Sequence, residues 1–404
     1  MKSKIIAAAL FTFTAGAVAF YPTLKEVGAV NMTQADPIQV PVVIGNSQKP
    51  PTIEVVFVLD TTGSMSGLIQ ASKEKIWSIA STMAQAEPAP EIKMGLVAYR
   101  DRGDDYVTRV VDLSEDLDTV YSRLMDFSAA GGGDGPESVN QALHDAVHKI
   151  SWSQGEDAYR TLFLVGDAPP HMDYQDDVKY PQTLKRANAK GIVVNTIQAG
   201  NNPPTRLVWN KIAQAGHGQY AQVGQGGNAV AISTPFDEKL ASLSRKLDET
   251  RLYYGSEEVL EKKRRKLDAA VKLHESASLE SRARRATFNV SKSGKSNLLG
   301  DSELVDDVSS GRVELDAITK EHLPASIRAM APREQRAVIT EKAQQRKALQ
   351  EEISELSIKR DAYLKREVEK SGGAKGSLDH KLYGAIREQA ARSGIHYEAE
   401  APAY

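Results

Sequence analysis

Asp60, Thr62 and Ser64 stand two residues apart, directly after an apolar run, and each carries a side-chain oxygen. The apolar run, residues 53–59 (IEVVFVL), is typical of a strand that is buried on both faces of a sheet. Carboxylate and hydroxyl oxygens are hard ligands, which suit Mg²⁺, Mn²⁺ or Ca²⁺ better than zinc or copper. The spacing therefore predicts a divalent cation at the carboxyl end of this strand.

A second carboxylate, Asp167, follows another apolar run, and the glycine-rich segment 131–137 (GGGDGPE) lies between the two carboxylates in sequence. Ligands of open α/β sheets bind outside the carboxyl ends of the strands, so we expect Asp60 and Asp167 to approach each other there. The simpler alternative is that each aspartate only caps a helix, because Asp, Ser and Thr are favoured caps. The presence of all three segments, around Asp60, at 131–137 and around Asp167, favours a metal site over helix caps.

Strands and helices alternate around these segments. The apolar runs predict an α/β fold, a doubly wound and mostly parallel sheet with helices on both faces and with a C-terminal α-helical extension. We expect strands at 53–59, 94–99, 107–113 (an edge), 161–165, 192–197 and 219–223. We expect the intervening and closing helices at 68–86, 117–127, 137–150, 180–190, 206–215 and 236–254.

The motifs DTTGSM (60–65), GGGDGPE (131–137) and GDAPPH (166–171) resemble those of a von Willebrand factor type A domain with a metal-ion-dependent adhesion site, over residues 51–255. The resemblance implies that Thr62 and Ser64 bind the metal directly, and that Asp60 and Asp167 act mainly through bound water. Where the family usually has a middle-loop threonine, this chain has Gly135, so we expect Asp134 to be the middle ligand. Mg²⁺ is the expected ion, with Mn²⁺ or Ca²⁺ as alternatives.

The N-terminus has the pattern of an export signal. Lys2 and Lys4 precede an apolar stretch over residues 5–18, and Ala17-Val18-Ala19 fits the small-residue cleavage rule. We expect a signal peptide at 1–19, cleaved after Ala19, then a linker at 20–50 and a periplasmic or secreted mature protein. An uncleaved anchor is the alternative, although the apolar stretch is shorter than the roughly 20 residues that span a bilayer. We expect no transmembrane segment in the mature chain.

The C-terminal part differs in composition. We expect a charged connector of helices and loops at 256–320, in which 286–316 forms a loop or short exposed strands, and a helical tail at 321–404. Arg346 and Arg360 interrupt the apolar stripe of a long helix at 334–370, which favours a helical hairpin with 378–393 over a sustained parallel coiled coil. This tail resembles that of exported bacterial proteins that carry such a domain.

Composition narrows the function further. The chain has 51 Lys+Arg against 53 Asp+Glu, a balance that argues against a nucleic-acid partner. It has no cysteine, which excludes disulfides, thiolate metal sites and a cysteine nucleophile. His144 and His148 have the spacing of a zinc-protease helix, but Asp145 replaces the usual glutamate and no third ligand follows, so we interpret them as surface residues.

These observations predict a binding protein rather than an enzyme. We expect an exported adhesion or scaffold protein that captures a protein partner when an acidic side chain of that partner completes the coordination of a divalent cation. A metal-assisted hydrolase using the same site is one alternative, which would need a general base beside the metal. A non-catalytic subunit of an envelope enzyme complex is another. The oligomeric state is not indicated by the sequence.

Overall fold

The protein is described by a computed structural model over residues 50–133, 135–155, 157–227, 232–370 and 376–398. The expected signal peptide, nearly the whole expected linker and Asp134 lie outside these ranges. Within them, no helix is long and apolar enough to cross a membrane.

Six strands form one sheet in the order β3-β2-β1-β4-β5-β6, which confirms the expected fold class. Strand β3 pairs antiparallel with β2 at one edge, and every other neighbouring pair is parallel. The first strand lies between β2 and β4, so the carboxyl ends of β1 and β4 meet where the strand order reverses direction, the usual ligand position. The strands are Thr52–Asp60, Glu91–Tyr99, Thr108–Ser114, Ala158–Gly166, Ile192–Ala199 and His217–Val223.

Helices cover both faces of the sheet. Alternate residues of β1 point to opposite faces, so Val55 and Phe57 join one apolar cluster while Val56 and Val58 join the other. Helices α1 and α2 contribute to the first cluster, and α3, α4 and α5 to the second. These helices are Ser66–Met83, Leu117–Met125, Val139–His148, Tyr180–Ala189 and Pro203–Ala215.

Seven further α-helices follow in the described ranges. They are α6 to α12, at Asp237–Asp248, Glu257–Ser276, Leu279–Val290, Lys295–Leu299, Leu304–Ser309, Pro332–Lys370 and Leu378–Ala390. Short helices therefore occupy much of 286–316, where the sequence suggested a loop or exposed strands. The loop was expected from the glycine, serine and aspartate residues of that segment, among which buried positions such as Leu298 and Leu304 were overlooked.

The packing of α6 and α12 differs from the sequence-based expectation. Helix α6, expected to close the sheet domain, packs mainly against α8 and α11, whereas α12 packs against α1, β4 and β6 instead of returning along α11. Leu378, Leu382 and Ile386 of α12 belong to the same apolar cluster as strand β1. The last α-helix of the described ranges thus covers one face of the sheet, and the described residues belong to one compact unit.

The two arginines that interrupt the apolar stripe of α11 are buried in ion pairs. Arg346 contacts Glu303 at 2.8 Å, and Arg360 contacts Asp237 at 2.6 Å. Both arginines therefore lie on the packed face of α11, because a buried charge is retained when a partner and hydrogen bonds satisfy it. The domain boundary near residue 255 stays a prediction, but the pair of Arg360 and Asp237 joins the two sides of it.

Candidate metal site

Asp60 ends strand β1 and is almost fully buried, with 1% of its surface exposed. Its Oδ1 accepts hydrogen bonds from the backbone N–H of Thr62 at 2.9 Å and from the Thr62 hydroxyl at 2.7 Å. Its Oδ2 makes no hydrogen bond with any described residue. One carboxylate oxygen is thus held by the following loop, and the other is buried without a partner.

The hydroxyls of Thr62 and Ser64 are neighbours above Asp60. Their oxygens lie 3.4 Å apart, with Thr62 buried and Ser64 exposed. A short 3-10 turn, Gly63–Met65, leads from this loop into α1. The loop therefore brings three of the sequence-predicted ligands together in a row that runs from the core to the surface.

Asp167 follows β4 at the same edge and is half-buried. Its Oδ2 accepts a hydrogen bond from the Gln225 side chain at 2.6 Å, and the same amide nitrogen lies 3.1 Å from the backbone oxygen of Ser64. Gln225, which the sequence analysis missed because it lies in a loop without a motif, thus links the two ligand-bearing loops. The charge of Asp167 helps to raise the pKa of Asp60, so the two carboxylates interact at this edge.

The glycine-rich loop lies directly over Thr62. Gly131 accepts a hydrogen bond from the Gly63 N–H at 3.1 Å, and a Cβ at Gly132, whose φ is +79°, would lie 3.2 Å from the Cβ of Thr62. Close approach and left-handed backbone both require glycine here. Gly166 has a similar role, since a Cβ there would collide with the Tyr99 hydroxyl and with Asp60.

Glu137 is a further carboxylate that this loop brings to the site. It is 4% exposed, its Oε1 would lie 3.4 Å from a Cβ on Gly132, and its Oε2 has no hydrogen-bond partner among the described residues. The sequence analysis noted Glu137 beside the middle loop but chose Asp134, which lies outside the described residues. The sequence analysis placed Glu137 at the start of the helix expected at 137–150, whereas the observed helix begins at Val139 and leaves Glu137 in the loop.

Burial and neighbouring carboxylates raise the pKa of three groups at this edge. Burial, opposed by the hydrogen bonds from Thr62 and assisted by the charge of Asp167, raises the pKa of Asp60 to about 7. Burial, together with the charges of Asp60 and three other aspartates, raises the pKa of Glu137 to about 9. Burial and the charges of Asp60, Glu137 and Asp167 raise the pKa of the Tyr99 hydroxyl. A concentration of unbalanced negative charge is costly inside a protein unless a cation compensates it.

A divalent cation fits this donor set. Buried oxygens of Asp60 and Glu137 lack partners, and two hydroxyls and the Asp167 carboxylate complete a set of hard oxygen donors. In the described ranges, no three His, Cys, Asp or Glu side chains are grouped so as to hold a metal by themselves, so the hydroxyls of Thr62 and Ser64 are essential to the assignment. A bound ion would supply positive charge and an open position for an oxygen ligand.

The capping alternative does not fit the observed geometry. Thr62 and Met65 occupy the N-cap positions of the 3-10 turn and of α1, and neither helix start receives a side-chain cap from Asp60. The residues after Asp167 form no helix before α4. The two aspartates therefore do not serve as helix caps.

His171, the histidine that adjoins the site in sequence, is held by other side chains. Its Nδ1 lies 2.8 Å from Asp173, its Nε2 lies 3.3 Å from Asp101, and its ring stacks on Tyr174. The ring is buried. These contacts fix the loop that follows Asp167.

The sequence model of the von Willebrand factor A domain family matches residues 54–234. Over 97 residues the chain is 35% identical to von Willebrand factor A domain-containing protein 7 of Rattus norvegicus. This match covers 24% of this chain and 10% of that protein. Over 121 residues it is 27% identical to alpha-protein kinase vwkA of Dictyostelium discoideum. This match covers 30% of this chain and 19% of that protein. The chain thus spans a fifth or less of the length of these curated relatives.

Two solved structures are similar at low identity. The SpRpn10 VWA domain has 13% identity and a TM-score of 0.34, and the match covers 44% of this chain and 91% of that one. Proximal thread matrix protein 1 from the mussel byssus has 12% identity and a TM-score of 0.33, with 44% and 42% covered.

Proposed function

We propose that this chain, whose residues 54–234 form a von Willebrand factor A domain, is an exported protein that captures a protein partner through a divalent cation held by Asp60, Thr62, Ser64 and Asp167. The domain type suggests a role in protein–protein interaction or adhesion. The cation, its ligands and export are the specific parts of this proposal. Mg²⁺ is the expected ion, with Mn²⁺ or Ca²⁺ as alternatives.

The observation that supports the proposal best is the buried Asp60 carboxylate with one oxygen unpartnered beneath an exposed hydroxyl. Asp60 and Thr62 would hold the ion from its buried side, while Ser64 and Asp167 would lie on the side nearer to solvent. A carboxylate from a partner would occupy the coordination position that faces solvent. Glu137 is a second candidate for the middle ligand beside Asp134, because its side chain and that of Thr62 both lie against Gly132 and its Oε2 has no partner.

The test is capture from a bacterial envelope extract by the purified chain, with Mg²⁺ or with a chelator. We expect Asp60→Asn to lose the partner that the wild-type protein captures in Mg²⁺. Asparagine has nearly the same shape as aspartate, but it lacks the negative charge that would bind the cation. Asp268→Asn, an exposed aspartate on α7, is the matched control and should capture normally. Capture that is unchanged by chelator and by Asp60→Asn would contradict the proposed function.

A further inference from the structure

A pair of histidines on α3 forms a second cluster of metal-binding side chains, on a different part of the surface. His144 and His148 are one helical turn apart, and their rings stack with centroids 4.2 Å apart and planes inclined by 20°. His144 is half-buried and His148 is exposed. Residues four apart lie on one face of a helix, so the helix itself sets this pairing.

The hydrogen bond of His148 fixes which ring nitrogen is available. Its Nδ1 lies 2.9 Å from the backbone oxygen of His144. A carbonyl oxygen can only accept, so Nδ1 carries the hydrogen and, in the neutral ring, Nε2 carries the lone pair. Histidines that bind metals usually donate their other N–H to a carboxylate or a backbone carbonyl in this way.

His144 has a more distant partner. Its Nδ1 lies 3.6 Å from the carboxylate of Asp145, which is itself fully buried and held by Thr108 at 2.6 Å, Gln141 at 2.7 Å and Lys149 at 2.9 Å. At 3.6 Å this carboxylate can attract the His144 ring but does not form a hydrogen bond with it. The contacts of Asp145 hold its carboxylate in place. They also leave it unsuited to serve as the general base of a zinc-protease helix.

The pair faces an open groove between α3 and α4. Gln182, Lys185 and Arg186 of α4 line the same groove as the two imidazoles. Within the described ranges, no ion pair engages Lys185 or Arg186, and no third His, Cys, Asp or Glu completes a metal-binding group with the two histidines. Part of any coordination sphere there would be filled by water or by an anion that the basic side chains attract.

We propose that His144 and His148 form an open, two-imidazole site for a divalent transition-metal ion such as Zn²⁺ or Cu²⁺. Imidazole nitrogens suit these ions, whereas the oxygen donors around Asp60 suit Mg²⁺. The chain would therefore carry two metal sites of different chemistry. The histidine site does not depend on the function proposed for the Asp60 site.

The test uses the untagged full-length chain and Cu²⁺, the ion that such sites bind most tightly. With excess Mg²⁺ present, we expect one tightly bound Cu²⁺ whose electron paramagnetic resonance spectrum shows coupling to two imidazole nitrogens. His144→Ala and His148→Ala should each lower Cu²⁺ affinity by about tenfold or more, the size of effect seen on perturbing metal sites. Circular dichroism verifies the fold of each variant.

His322→Ala is the matched control, because His322 is an exposed single histidine in the tail. It should leave the affinity and the spectrum unchanged. His148→Gln, which keeps a polar side chain on the helix, should behave like His148→Ala. Retention of the two-nitrogen signal in both His144→Ala and His148→Ala, or its loss in His322→Ala, would overturn the proposal.

Discussion

Replacing Asp60 by asparagine should stabilise the metal-free protein at alkaline pH. Burial raises the pKa of Asp60 from 3.8 to about 7, so the folded state holds this proton more tightly than the unfolded chain does. Stability is therefore lost as the pH rises from the unfolded pKa to the folded pKa, and the loss is complete above about pH 7. A shift of about 3 units corresponds to about 4 kcal/mol at pH 8, an upper bound because asparagine would place a buried NH2 group without an acceptor at the position of Oδ2.

Urea unfolding in a chelator at about pH 5 and pH 8 measures this effect. From pH 5 to pH 8, the free energy of unfolding of the wild-type protein should fall by roughly 2–3 kcal/mol more than that of Asp60→Asn. Glu137, whose pKa is raised in the same direction, contributes to the pH dependence of both proteins. Added Mg²⁺ should then stabilise the wild-type protein at pH 8 and leave Asp60→Asn unchanged, since a ligand stabilises only the state that binds it.

Asp268→Asn controls for the loss of one negative charge, because Asp268 is exposed. This variant should have the same free energy of unfolding as the wild-type protein at both pH values. Equal pH dependence in the wild-type protein and Asp60→Asn would refute the reasoning. It would mean that the carboxylate is ionised in the folded protein at little cost, so that no cation is needed to compensate it.

Three other predictions follow from the packing and the N-terminus. Leu382→Ala should destabilise the protein by about 2–5 kcal/mol in urea unfolding, because α12 covers the sheet, whereas Ile358→Ala, at a side chain that is 72% exposed, should have little effect. Arg360→Ala should cost about 3–5 kcal/mol by leaving Asp237 buried without its partner, and a change below 1 kcal/mol would contradict this. Mass spectrometry of the envelope fraction should find Phe20 as the mature N-terminus, while an intact Met1 would support the uncleaved anchor.

Most of the sheet could be predicted because its strands are buried on both faces. The apolar runs around Val56, Leu96, Leu162 and Val194 leave no other interpretation, and the observed strands extend these runs by a few residues at most ends. The edge strand at Thr108–Ser114 was also expected, at 107–113. Each of these strands could be predicted from its own residues, without knowledge of its tertiary contacts.

The role of the C-terminal helices could not be predicted in the same way. Leu378, Leu382 and Ile386 show that α12 has an apolar face, but the sequence does not say which surface that face covers. Arg346 and Arg360 were interpreted as interruptions because their partners, Glu303 and Asp237, lie 43 and 123 residues away. Pairing over such distances is a property of the tertiary structure alone.

The candidate site falls between these two cases. Asp60, Thr62, Ser64 and Asp167 were expected from their positions at strand ends, and the structure brings them to one edge. Glu137 was not chosen because its burial depends on how the glycine-rich loop folds over Thr62. Spacing identifies donors on a single loop, whereas a donor from another loop is identified only by packing.

The most direct measurement for the account is calorimetric titration of Mg²⁺ and Mn²⁺ into the metal-free full-length chain and into the double variant Asp60→Asn/Asp167→Asn. Substitution by asparagine keeps the shape of both side chains, so the fold should persist while the charge that holds the ion is removed. We predict one divalent ion bound by the wild-type protein and none by the double variant. Equal Mg²⁺ and Mn²⁺ affinity in the two proteins would contradict the assignment of this edge of the sheet as a metal site.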